Sequence, residues 1–128
     1  MEFPKDLRYT KSHEWVRKTD SGVVVGITAF AVEQLGDITL VELPEVGKTF
    51  AAAADFGTIE SVKSVSDLYA PLAGDVTRVN EDLDDSPELV NEDCYKTGWL
   101  VEMKPANDAD VDALLDADAY AKLVAEAQ

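Results

Sequence analysis

The sequence predicts a mainly β fold, two similar β units related by a pseudo-twofold over one core, and three observations point there. Short runs rich in β-branched and aromatic residues, punctuated by Gly, Pro, Asp and Ser, follow one another from His13 to Met103. A weak internal repeat runs through them. Gly36-Asp-Ile-Thr-Leu-Val41 is echoed by Gly74-Asp-Val-Thr-Arg-Val79, and Gly57-Thr-Ile-Glu60 more loosely by Gly98-Trp-Leu-Val-Glu102. Beyond these, Val111, Leu114, Leu115, Ala119, Leu123 and Val124 recur at three- and four-residue spacing, the period of a helix packed across a β core.

In chain order, residues 13–18 and 23–28 are β-rich, and Thr19-Asp-Ser-Gly22 between them reads as a hairpin turn. Thr28 can cap a short helix over 29–35, with Gly36 just past its end, where a left-handed backbone suits glycine. Residues 38–43 form the next strand, stopped by Pro44 and turned by Glu45-Val-Gly47. Strands follow over 56–62 and 65–69, and Lys63 and Ser64 fall where the chain reverses. Two-residue hairpin loops favour Asn, Asp or Gly because their backbone needs positive φ, so Lys-Ser is a poor turn. A local rule broken without compensation marks a place where function sits. Pro71 and Gly74 bend the chain into a strand at 76–79, the acidic stretch 81–88 predicts a helical turn or two, and 99–103 is the last strand. A helix over about 109–127 closes the chain, capped by Asp108 or Asp110, with acidic residues early and Lys122 late as the helix dipole prefers.

At 128 residues one domain is expected, with a core over about 7–104 and the helix against it. A net charge of −15 repels phosphate backbones and anionic membranes, which argues against nucleic acid or membrane partners and for basic protein surfaces. No apolar run approaches the ~20 residues of a membrane span, and the first residues resemble neither a secretory nor a transit signal. A cytoplasmic protein is expected; a mature mitochondrial form would look the same.

Cys94 is the only cysteine and His13 the only histidine, so neither a disulfide framework nor a zinc cluster is expected, and the acidic stretch lacks the ligand spacing of a calcium loop. No nucleophile elbow, Cys-His pair or phosphate-binding glycine loop occurs. The chain is therefore expected to be no enzyme. A primary amine at a hairpin tip suits another task, acylation by a carrier cofactor that neutralises it and tethers a reactive group on a mobile arm. In that role Lys63 presents the group, with Val62 and Val65 fixing its flanks.

The segment Glu60-Ser-Val-Lys-Ser-Val-Ser-Asp-Leu-Tyr-Ala-Pro-Leu-Ala-Gly74 resembles the lipoyl-attachment segment of the glycine cleavage system H proteins. Ser12-His-Glu-Trp-Val16, Val25-Gly-Ile-Thr28, Leu35-Gly-Asp37, Val41-Glu-Leu-Pro-Glu-Val-Gly47, Leu89-Val-Asn91 and Gly98-Trp-Leu100 extend the likeness over nearly the whole chain. The resemblance implies a barrel-sandwich hybrid with flanking helices, in a monomer. It implies lipoate amide-linked to Lys63, with Glu60, Val62, Val65 and Gly74 supporting attachment. It also implies that Ser12, Glu14 and Asp67 hold the aminomethyl-loaded arm in a cleft, where a carboxylate stabilises the amine and shields its labile linkage from water. The implied partners are glycine decarboxylase (the P protein), aminomethyltransferase (the T protein), dihydrolipoyl dehydrogenase (the L protein) and lipoate-attaching enzymes. Two neighbouring readings stay open in the sequence: an H-like paralogue that relays lipoyl groups, and another swinging-arm carrier such as a biotinyl domain.

Overall fold

Alternation of apolar and polar residues along the strands buries one face of each of two antiparallel sheets against a shared core. The structure, a computed structural model, describes residues 2–127. Its strands are β1 (Arg8–Tyr9), β2 (Glu14–Thr19), β3 (Gly22–Ile27), β4 (Ile38–Glu42), β5 (Thr49–Phe50), β6 (Asp55–Ser61), β7 (Val65–Tyr69), β8 (Gly74–Val79) and β9 (Val101–Pro105). Six form one sheet in the order β1-β2-β3-β9-β8-β5, and three form the other in the order β4-β6-β7. The core draws on both, with Val25, Val76 and Met103 from the larger sheet meeting Ile38, Ile59 and Leu68 from the smaller. Among the described residues no helix is long and apolar enough to cross a membrane.

The internal repeat is visible in the pairing. β4 lies antiparallel to β6 as β8 lies antiparallel to β9, and the flanking strands β7 and β3 complete matching three-stranded units. Each pairing also shifts register at the same point of the echo, between Ile38 and Leu40 in one unit and between Val76 and Arg78 in the other. A bulge bends and twists its strand, so paired bulges curve both sheets alike around the core.

Helix α1 (Ala29–Leu35) follows the local signals. Thr28 Oγ1 accepts the Ala31 amide at 3.3 Å, and Gly36 at φ +80° ends the helix by donating to the Val32 carbonyl at 2.9 Å. The acidic stretch forms α2 (Asp82–Asp85), with α3 (Leu89–Glu92) after it. The tail departs from the expected single helix and divides into α4 (Ala109–Asp112) and α5 (Ala117–Ala127). Leu115 leaves the helical path to exchange two backbone hydrogen bonds with Tyr9, at 2.8 and 2.9 Å. Asp116 restarts the helix, its Oδ1 accepting the Ala119 amide at 2.8 Å.

A second cluster fastens α5 to the larger sheet. Tyr120 stacks on Tyr9 at 4.7 Å and meets the edge of Phe3, also at 4.7 Å, with Trp15 and Phe30 in the same cluster.

Candidate functional site

The lysine turn forms by a route the residue types alone conceal. Glu60 pairs with Val65, and the Ser61 amide donates to the Ser64 carbonyl at 2.8 Å, so the two tip residues are Val62 and Lys63. The reversal is thus one residue earlier than the Lys63-Ser64 expected. Nor does it use positive φ, which among the described non-glycine residues occurs only at His13 and Ala53. Instead Ser61 Oγ accepts the amides of Lys63 at 3.2 Å and Ser64 at 3.1 Å, standing in for the main-chain carbonyl that a tight hairpin would use. From the other side, the Val62 amide donates to the Asp37 carbonyl at 3.0 Å. The tip is stapled twice, and Lys63 is exposed upon it.

Val62 and Val65 are 69% and 62% exposed, so they border the amine as open apolar surface and do not clamp it. The stem of Lys63 runs over Gly36: a Cβ there would lie 2.9 Å from Lys63 Cε. Glu60 is half-buried beside Val65 on the same hairpin. Gly74 is in the other sheet, where its missing side chain lets the Lys104 carbonyl approach across the β8–β9 pair. Its role in the fold is close strand packing, away from the turn.

Ser12, Glu14 and Asp67, separated by up to 55 residues in sequence, line one cleft of about 360 Å³ between the β1–β2 turn, α1 and the edge strand β7. Phe30, Gln34 and His13 line it too, and among the described residues no lysine or arginine does. Asp67, on β7, is four residues past the lysine at the tip, at most roughly 13 Å away along the chain. A long flexible arm on Lys63 spans that distance, and the amine is open enough to be acylated.

Glu14 is the cleft's buried charge, at 2% exposure. Its Oε1 accepts from Thr10 Oγ1 at 2.7 Å and, in a short contact, from Ser12 Oγ, while Oε2 faces the Tyr69 amide at 3.5 Å. Neither ion pair among the described residues involves it. Burial holds its carboxyl above the usual range, opposed in part by the Ser12 and Thr10 hydroxyls and the Tyr69 amide. The cleft therefore offers an oriented, desolvated acceptor with no internal cation, suited to an arm that ends in an amine. Sequence reasoning missed Thr10, Phe30 and Gln34. Thr10 lies four residues before Glu14 in a turn, a signal that could have suggested the hydroxyl partner.

A two-sheet β platform with an exposed lysine on a stapled tip, beside an acidic cleft within reach, has the architecture of a swinging-arm carrier domain. The sequence profile described as "Glycine cleavage H-protein" matches residues 7–127, and the chain belongs to that family. It is 51% identical over 126 residues to the glycine cleavage system H protein of Anaeromyxobacter sp. (strain K), covering 98% of both chains. To that of Listeria monocytogenes serotype 4a (strain HCC23) it is 54% identical over 124 residues, covering 97% of this chain and 99% of the relative. A crystal structure of a glycine cleavage system H protein from Mycobacterium marinum superposes with a TM-score of 0.87 at 43% identity, over 96% of this chain and 99% of that one. The fold is the barrel-sandwich hybrid of lipoyl carriers, with short helices and a C-terminal helix.

Proposed function

We propose that this chain is the lipoyl-bearing shuttle of the glycine cleavage system, a single-domain carrier with no catalysis of its own. It takes an aminomethyl group from glycine decarboxylase to aminomethyltransferase and is reoxidised by dihydrolipoyl dehydrogenase. The observation that carries the reading is the pairing of an exposed, acylable Lys63 with one cleft that gathers Ser12, Glu14 and Asp67. Lipoate fits these residues: the amine is accessible, Gly36 leaves room for the stem, and the cleft has apolar walls with an acidic centre. When bound, lipoate supplies a disulfide that accepts the aminomethyl group and two electrons.

The chain's own residues do the rest. The stapled turn presents Lys63 to lipoate-attaching enzymes and then to each partner. Glu14 and Asp67 supply negative charge for the cargo amine, Ser12 and Thr10 orient Glu14, and Phe30 helps exclude water. The net charge of −15 steers the carrier toward basic docking surfaces. The proposed compartment is the cytoplasm, in keeping with bacterial relatives.

Intact-mass and peptide mapping of the chain from its native host is expected to find one lipoyl group, on Lys63. That form is expected to support glycine–bicarbonate exchange with its cognate decarboxylase. An unmodified or biotinylated lysine, or a lipoylated chain inert in exchange, would overturn the proposal.

Glu14→Gln separates the residue's two effects. Burial raises the Glu14 pKa in the folded chain, so between the unfolded and folded values the native state binds more protons and stability falls as pH rises. Glutamine carries no such charge. The variant is expected to be at least as stable as the parent at neutral pH, an advantage that fades as pH falls through the raised folded-state value and is gone by about pH 4, where the carboxyl is protonated in both states. Its loaded form should lose the aminomethyl group about tenfold faster, the scale of one charge-assisted hydrogen bond. Denaturation at pH 7 and pH 4, with the lifetime of the loaded form, checks both.

A further inference from the structure

The turn between β1 and β2 breaks a rule at His13. Tyr9 pairs with Trp15, and the His13 amide donates to the Thr10 carbonyl at 3.2 Å, which makes Thr10 to His13 a β-turn ahead of β2. In three-residue hairpin loops of this kind the last position takes the left-handed conformation that glycine fills most easily. Here histidine adopts it, at φ +75°. A left-handed non-glycine residue costs about 1–2 kcal/mol and persists only where its surroundings enforce it.

The surroundings that hold it are on α1 and α5. Thr28 is fully buried, and its Oγ1 accepts the Ala31 amide at 3.3 Å and meets Tyr120 Oη at 2.8 Å. Tyr120 Oη in turn is 2.7 Å from His13 Nδ1. Only one arrangement gives every buried hydroxyl proton an acceptor: Thr28 donates to Tyr120, and Tyr120 donates to Nδ1. The proton of the neutral ring is then on Nε2. Burial lowers the His13 pKa, which keeps the ring neutral at ordinary pH. The ring packs 4.9 Å from Phe30 and lines the cleft. Among the described residues its side chain bonds only Tyr120, which leaves Nε2–H free. Glu14 and Asp67, the charged groups of the cleft, are both acceptors.

We propose that His13 is a binding residue of the cleft: fixed by Tyr120 as the Nε2–H form, it donates a hydrogen bond to a neutral acceptor on the arm carried by Lys63. Tyr120 is the positioning residue that acts through it. The inference rests on the lipoyl-carrier reading. Two atoms of the arm share the required chemistry, the carbonyl of the amide that joins the group to Lys63 and the unprotonated amine of the cargo. A donor on that amine would occupy the lone pair whose release expels the sulfur as thiolate and leaves a methylene iminium ion. On the carbonyl, the same donor would offset the cost of burying the amide.

His13 is the only histidine, so its ring nitrogens give unambiguous signals in ¹⁵N nuclear magnetic resonance. In the unmodified chain Nδ1 is expected to be unprotonated and Nε2 protonated; a protonated Nδ1 in the neutral ring overturns the inference whatever Lys63 carries. Tyr120→Phe should relax the ring from a single tautomer to the mixture of a free imidazole, with Nδ1–H becoming detectable beside Nε2–H, while keeping the aromatic packing. With lipoylation confirmed by mass, a shift of Nε2 in the reduced, unloaded form assigns the contact to the amide carbonyl. A shift that appears only on loading assigns it to the amine. No shift in either state overturns the contact while leaving the carrier reading intact; failure of Lys63 to accept lipoate overturns both. Asparagine tolerates the left-handed backbone, so His13→Asn removes the imidazole without forcing the turn. It is expected to shorten the lifetime of the loaded form about three- to tenfold, the range of one neutral hydrogen bond. An unchanged lifetime in a folded, lipoylated His13→Asn chain counts against the contact.

Discussion

Lys63→Arg is expected to give a folded chain that accepts no lipoyl group and supports no exchange. A guanidinium keeps the positive charge and can extend its stem over Gly36 as lysine does, but it does not form the amide that an ε-amine forms. The tip is exposed and its hydrogen bonds come from the main chain and Ser61, so stability should change by less than about 0.5 kcal/mol. Intact mass, exchange assay and urea denaturation on one preparation decide the matter. Residual exchange in this variant would mean that the chain carries its cargo elsewhere.

The second large effect is on stability. Trp15→Ala is expected to cost about 3–5 kcal/mol, much of what a domain of this size possesses. Trp15 is completely buried, packs across the bare face of Gly26 on β3, and donates through Nε1 to the Cys94 carbonyl at 3.0 Å. Truncation therefore opens a cavity and strands a carbonyl. The Arg17 guanidinium, 4.8 Å above the indole, loses its aromatic partner as well. Trp15 adjoins Glu14 on β2, so the same change loosens the cleft. An unfolding free energy that falls by less than about 1 kcal/mol would show that the site collapses around the loss.

Much of this was legible in residue types. The Thr28 cap, the Gly36 stop and the Thr19–Gly22 turn act through neighbours in sequence, and each forms where the local chemistry puts it. The two-unit repeat was readable because strands that pair alike carry alike patterns. What escaped were features decided by distant partners. Leu115 fits a helical stripe, yet Tyr9, 106 residues away, draws it into a β-bridge and splits the helix. The Lys63 turn looked poor because two-residue hairpins ordinarily need positive φ, whereas Ser61 Oγ and the Asp37 carbonyl hold this reversal without it. Within the site, Ser12, Glu14 and Asp67 from the resemblance line one cleft, whereas Gly74 is in the other sheet. Composition alone offered no reason to choose Glu14 among 26 acidic residues, because its distinction is burial.

The double staple at the tip has a geometric consequence. With Val62 tied to Asp37 and the reversal closed by Ser61, the pivot of any attached arm stays still relative to the platform. Its far end then explores a shell whose radius is set by the arm's own bonds. Local concentration at a target depends on how well that radius matches the span. The carrier behaves as a pair of compasses with a locked point, and every active site it serves must be built to the same ruler as its own cleft.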